Sequence, residues 1–138
     1  MIEINNDNIK YYLGVDWGEK RIGLATADSD VKLSLPYKTV SDISELIAVI
    51  DQEYINVVVI GEPVKMMGAQ SDNLQWLEFV DKLKQIPGLE VVLVDERLTS
   101  LAADALVGSK RQKAARDEIS ASIILQNYLD KESNGGNS

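Results

Sequence analysis

The stretch "YYLGVDWGEKRIGLATAD", Tyr11–Asp28, decides the fold. An apolar run reaches a bare carboxylate at Asp16, breaks at Gly18 and resumes as a second apolar run. Tyr11–Val15 and Ile22–Ala27 read as strands, and the turn Trp17-Gly18-Glu19-Lys20 predicts an antiparallel hairpin. Side chains alternate along a strand, so Tyr12, Gly14 and Asp16 share one face while Leu13, Val15 and Trp17 share the other. An acid thus stands at the tip of a central strand otherwise suited to burial. Alone, it could simply accept backbone hydrogen bonds in the turn.

Outward from the hairpin, Leu33–Val40 predicts a third strand, with Pro36 marking an edge or bend. Ser41 or Asp42 caps a helix on which Ile43, Leu46, Ile47 and Ile50 recur at helical spacing. "INVVVI", Ile55–Ile60, is an unbroken apolar run of the kind buried on both faces, and Gly61-Glu62-Pro63 stops it. A helix follows over Ser71–Gln85, with Trp76, Phe79, Val80 and Leu83 on one side. "LEVVLV", Leu89–Val94, predicts a second buried strand ending at Asp95-Glu96-Arg97. Thr99 or Ser100 caps a short helix through Leu106. The last helix is expected from about Asp117 to Asp130. The Ser/Asn/Gly-rich tail, residues 131–138, is expected to be disordered. This order implies a five-stranded mixed α/β sheet, antiparallel at its start and parallel later, with helices on both faces.

The 138 residues suit one domain, placed at 1–130, and 45% hydrophobic content suffices for a core. No run is long and apolar enough to span a membrane, and Met1–Lys10 lacks the regions of a signal peptide, so a cytoplasmic location is expected. The chain has no Cys and no His. That excludes disulfides, thiol nucleophiles, Ser-His triads and ordinary zinc sites. Its net charge of −8 argues against broad, non-specific affinity for nucleic acid, but not against a local basic patch.

Three acids converge on the pattern. Asp16 ends one strand; Asp95 or Glu96 ends another, where open α/β sheets bind ligands. Asp117 heads the last helix's apolar stripe of Ala121, Ile124, Leu125 and Tyr128. A buried carboxylate is costly unless paired or bound to a cation, and clustered carboxylates repel. A divalent metal, Mg²⁺ or Mn²⁺, relieves both costs and suits phosphodiester cleavage without His or Cys. Lys20, Arg21 and Arg97 flank the acids. Lys110, Arg111, Lys113 and Arg116 form a run of cations within Gly108–Arg116 that contains no acid. All seven are candidate phosphate contacts.

"GVDWGEKRIGLA" (Gly14–Ala25), "SLPYKTV" (Ser34–Val40), "VVVIGEP" (Val57–Pro63), "VDERLTS" (Val94–Ser100) and "DEISASIIL" (Asp117–Leu125) together resemble the YqgF-type proteins. These are the Holliday-junction-resolvase-like pre-16S rRNA nucleases of bacteria. The resemblance spans Tyr11 to about Leu129. It implies an RNase H-like fold, a cytoplasmic location, a divalent metal and a role in maturing the 5′ end of small-subunit rRNA. It carries over Asp16, Glu96 and Asp117 as catalytic acids and metal ligands. It also implies structured RNA as the partner, a precursor rRNA or pre-ribosome. The chain departs from the family's Gly-Leu-Pro and Asn-Met-Asp-Gly pattern at Gly61-Glu62-Pro63 and Lys65-Met66-Met67-Gly68.

Three rival readings make different demands on the chain. A resolvase acting on branched DNA needs a dimer with two sites. A non-catalytic nucleic-acid-binding module of the same fold would not need the acids. An actin- or Hsp70-like ATPase, suggested by the Gly14–Gly23 hairpin, needs two lobes, and this chain supplies one.

Overall fold

A computed structural model describes residues 9–62, 70–95 and 113–135. Five strands form one sheet: β1 (Tyr11–Asp16), β2 (Ile22–Asp28), β3 (Leu35–Val40), β4 (Val57–Glu62) and β5 (Glu90–Asp95). Their order is β3-β2-β1-β4-β5, which puts the acid-tipped β1 at the centre. β1 pairs antiparallel with β2, and β2 antiparallel with β3. β1 pairs parallel with β4, and β4 parallel with β5. The mixed sheet expected from the sequence is therefore present.

Strand alternation sorts the core into two layers. Leu13, Val15, Ile22, Leu24, Val58 and Ile60 pack against α1 (Ile43–Gln52) and α2 (Gln70–Lys84). Tyr12, Ala25, Val57 and Val59 pack against α3 (Lys113–Gly135) through Ala121, Ile124, Leu125 and Leu129. Helices thus cover both faces. Fully burying a side chain such as Leu46 or Leu83 contributes about 2–3 kcal/mol. α1 begins where Asp42 accepts a hydrogen bond from the Glu45 N–H at 3.0 Å, while Glu45 accepts one from the Ser41 N–H at 2.6 Å. These contacts satisfy donors that the first turn leaves open.

Several boundaries differ from expectation for identifiable reasons. β4 starts two residues late because the Asn56 side chain accepts from the Tyr11 N–H, while the Asn56 N–H donates to the Tyr11 carbonyl. It also runs through Gly61 to Glu62, in register with Asp95 of β5. Among the described residues β5 is the edge strand rather than a second buried one, and Leu93 is 38% exposed. An apolar run reads alike at the centre and the edge of a sheet. Ile47 lies on the exposed side of α1, where Val49 takes its expected place in the core.

α3 starts at Lys113, a full turn before Asp117, and stays helical to Gly135 past the expected end at Asp130. The tail expected to be disordered from Lys131 is therefore helical through Gly135. Tyr128 stabilises this extension: its hydroxyl donates to Glu132 Oε2 at 3.0 Å and its ring meets Tyr12 at 6.1 Å. The short helix expected after Thr99 lies outside the described residues, as does the Lys65–Gly68 turn.

Candidate active site

The site sits where β1 ends and α3 begins its packed stretch. Asp16 pairs across the hairpin with Gly23, and Gly23 lies directly beneath the backbone of Asp117. A Cβ on Gly23 would collide with the Asp117 carbonyl, and one on Gly14 would come within 2.6 Å of the Ala121 carbonyl oxygen. Two glycines on the α3 side of the sheet thus let helix backbone rest on strand backbone. Any larger residue would hold the helix, and Asp117 with it, away from Asp16.

Polar contacts fix the rest of α3. Ser34 Oγ donates to the Ser122 carbonyl at 2.6 Å, and the Ser34 N–H donates to Gln126 Oε1 at 2.9 Å. Gln126 Nε2 in turn donates to the Lys32 carbonyl at 3.2 Å. Thr39 Oγ1 of β3 donates to Glu118 Oε2 at 3.0 Å. Sequence reading missed Ser34, Thr39, Glu118 and Gln126 as positioning residues. The motifs "SLPYKTV" and "DEISASIIL" hold Ser34, Thr39, Glu118 and Ser122, but they lie far apart in the chain, so their pairing was not legible.

Asp16, Trp17, Gly18, Glu19, Lys20, Arg21, Arg116 and Asp117 line an open cleft of about 440 Å³. Asp117 is only 8% exposed. Its charge is answered by Arg21, whose Nε donates to Oδ2 at 2.8 Å, while Arg116 Nη2 stands 3.9 Å from Oδ1. Trp17 turns to the other face, as alternation requires, and packs against Phe79 at 6.1 Å.

The structure therefore brings together Asp16 and Asp117, with Lys20, Arg21 and Arg116 around them. Arg116 belongs to α3 rather than to a basic loop, so it is an ion partner of the neighbouring acid. Asp95 ends β5, while Glu96, Arg97, Lys110 and Arg111 lie outside the described residues; Lys113 opens α3. Among the described residues no three metal-ligating side chains cluster. The two carboxylates that line the cleft from strand tip and helix are hard oxygen donors, and the chain has no His or Cys. They fit an ion such as Mg²⁺ or Mn²⁺ that completes its shell with water and substrate oxygens.

The sheet order and the helices on both faces define an RNase H-like fold, with Asp16 at the sheet's carboxyl edge. Solved structures bear out the fold. Thermus thermophilus RuvC in complex with a Holliday junction substrate aligns with a TM-score of 0.58 at 14% identity, over 90% of this chain and 96% of that one. The fowlpox virus Holliday junction resolvase aligns at 0.53 and 14% identity, over 88% and 99%. The chain belongs to the RuvX family, described as Holliday junction resolvase, whose sequence profile matches residues 10–131. It is thus a hydrolase that cleaves phosphodiester bonds. A relative from Chloroflexus aurantiacus, named "Putative pre-16S rRNA nuclease", is 34% identical over 91% of this chain and 88% of its own length. One of the same name from Endomicrobium trichonymphae is 30% identical over 88% and 96%.

Proposed function

We propose that this chain is a metal-dependent endonuclease that cuts structured precursor RNA at the 5′ end of pre-16S rRNA in the cytoplasm, through one catalytic domain. The observation that carries the reading is the seating of Asp117 over Gly23, the cross-strand partner of Asp16. Asp16 and Asp117 are the proposed metal ligands. Val92 and Val94 of β5 pack on the α3 side, and the next residue of that parity in the sequence is Glu96. This supports Glu96, rather than Asp95, as the third acid.

A bound divalent ion would activate water and stabilise the leaving oxygen. The protein's part is to hold the two acids on rigid backbone and to shape the cleft. Its described walls carry three carboxylates, Asp16, Glu19 and Asp117, and three cations, Lys20, Arg21 and Arg116. The cleft is locally neutral on a chain of net charge −8. A divalent ion would make it positive and able to receive a phosphodiester.

The deciding experiment sets a labelled pre-16S fragment beside a four-way DNA junction, each with Mg²⁺, Mn²⁺ or chelator. RNA cleavage with either metal, abolished by chelator, is expected. Preferential, paired cutting of the junction would favour the second reading, a branched-DNA resolvase, which the family description and the RuvC likeness motivate.

The basic segment has its own test. Lys110→Ala/Arg111→Ala/Lys113→Ala should weaken RNA binding about tenfold or more and flatten its salt dependence, because fewer counterions are released. Affinities at three salt concentrations check this; unchanged slope and affinity would leave the segment as solvated surface.

A further inference from the structure

We infer that Arg21 and a divalent cation are alternative partners of Asp117, so that loading the metal releases Arg21 toward the substrate phosphate. The inference rests on the metal-dependent reading above and adds an order of events to it. Both oxygens of Asp117 face a guanidinium: Arg21 Nε at 2.8 Å from Oδ2, and Arg116 Nη2 at 3.9 Å from Oδ1. The carboxylate is nearly buried, so without an ion it needs such a partner. A guanidinium and a divalent ion on the same carboxylate would repel each other strongly. Arg21 makes the close contact, so it is the partner an ion on Asp117 must displace. Its side chain is 40% exposed, and it follows the turn that lines the cleft mouth. Swung off Asp117, it remains beside the ion, where a phosphate would bring negative charge.

Arg21 is thus a positioning residue with two settings. In the metal-free protein it holds the acid in place and keeps the helix end from carrying an unpaired buried charge. With the ion bound, that task passes to the metal, and the guanidinium's five donors become available for phosphate oxygens. Metal affinity in the absence of nucleic acid is correspondingly held down, since each ion must displace an existing partner. By linkage, whatever draws Arg21 away tightens metal binding by the same factor.

The test is Mn²⁺ binding by calorimetry, without nucleic acid, to wild type, Arg21→Gln, Arg21→Lys and Asp117→Asn. Arg21→Gln should bind Mn²⁺ on the order of tenfold more tightly than wild type, with a larger metal-induced rise in Tm. Arg21→Lys should fall between them, and it carries the test if Arg21→Gln does not fold. Asp117→Asn should lose the binding. In wild type, the ¹⁵N resonance of Arg21 Nε should shift as Mg²⁺ is added. Equal or weaker metal binding by both Arg21 variants would overturn the inference, as would absence of metal binding to every protein. Parallel cleavage assays separate the two readings. Metal-dependent cleavage without a gain in affinity sinks only the exchange, whereas tighter binding without cleavage of any substrate sinks only the nuclease assignment.

Discussion

Asp117→Asn should reduce metal-dependent cleavage by a factor on the order of 10³ while the protein stays folded. The amide keeps the shape of the side chain, and Asp117 sits on a helix pinned at several other points, through Ser34, Thr39 and Gly14. What is lost is a negative oxygen donor at the one place where strand tip and helix meet. Arg21 would lose its carboxylate partner, but it is partly exposed and can turn to water, so the stability cost should stay at about 1–2 kcal/mol. Far-UV circular dichroism and RNA binding in chelator check the fold; single-turnover cleavage in Mg²⁺ checks the chemistry. Cleavage at the wild-type rate would reduce Asp117 to the structural partner of Arg21.

Gly23→Ala should be the most damaging small substitution, costing about 2–3 kcal/mol and lowering Tm by roughly 10 °C. Its added methyl would meet the Asp117 carbonyl, which belongs to helix backbone and cannot rotate aside. Relief requires lifting α3, which also moves Asp117, so cleavage should fall with stability. Gly88→Ala is the control. Gly88 has a φ of +80° and open space around the site of a Cβ, so it should cost only about 1 kcal/mol through backbone strain and leave cleavage unchanged. Thermal melts and cleavage rates of the two variants, measured together, separate crowding under the helix from general glycine loss.

Much of this was legible in the sequence, for physical reasons. The hairpin, the central place of β1 and the side of α2 that faces the core all follow from periodicities of two and 3.6, which local sequence carries directly. Asp16 and Asp117 stood out because each is a charge at the end of an apolar pattern. What was not legible depends on distant neighbours. Nothing in "LEVVLV" tells an edge strand from a central one, because that is decided by what lies beyond β5. Nothing in "RIGL" says that its glycine is a helix seat, because the residue resting on it lies far along the chain. The early start of α3 was missed because Lys113-Ala114-Ala115-Arg116 holds no large apolar residue, so no stripe marks its first turn. The pairing of Arg21 with Asp117 was likewise invisible: the sequence offered Arg21 as a phosphate contact, and the structure gives it a carboxylate first.

The span between strand tip and last helix also bears on how the enzyme is made. The β1–β2 hairpin needs only local closure and can form as soon as it emerges from the ribosome, whereas α3 can settle on Gly14 and Gly23 only after β4 and β5 have been synthesised. Until then Asp16 has no companion on Gly23, and the nascent chain holds half of an acid pair. An enzyme assembled in this order would bring Asp117 to the cleft only when its final helix docks.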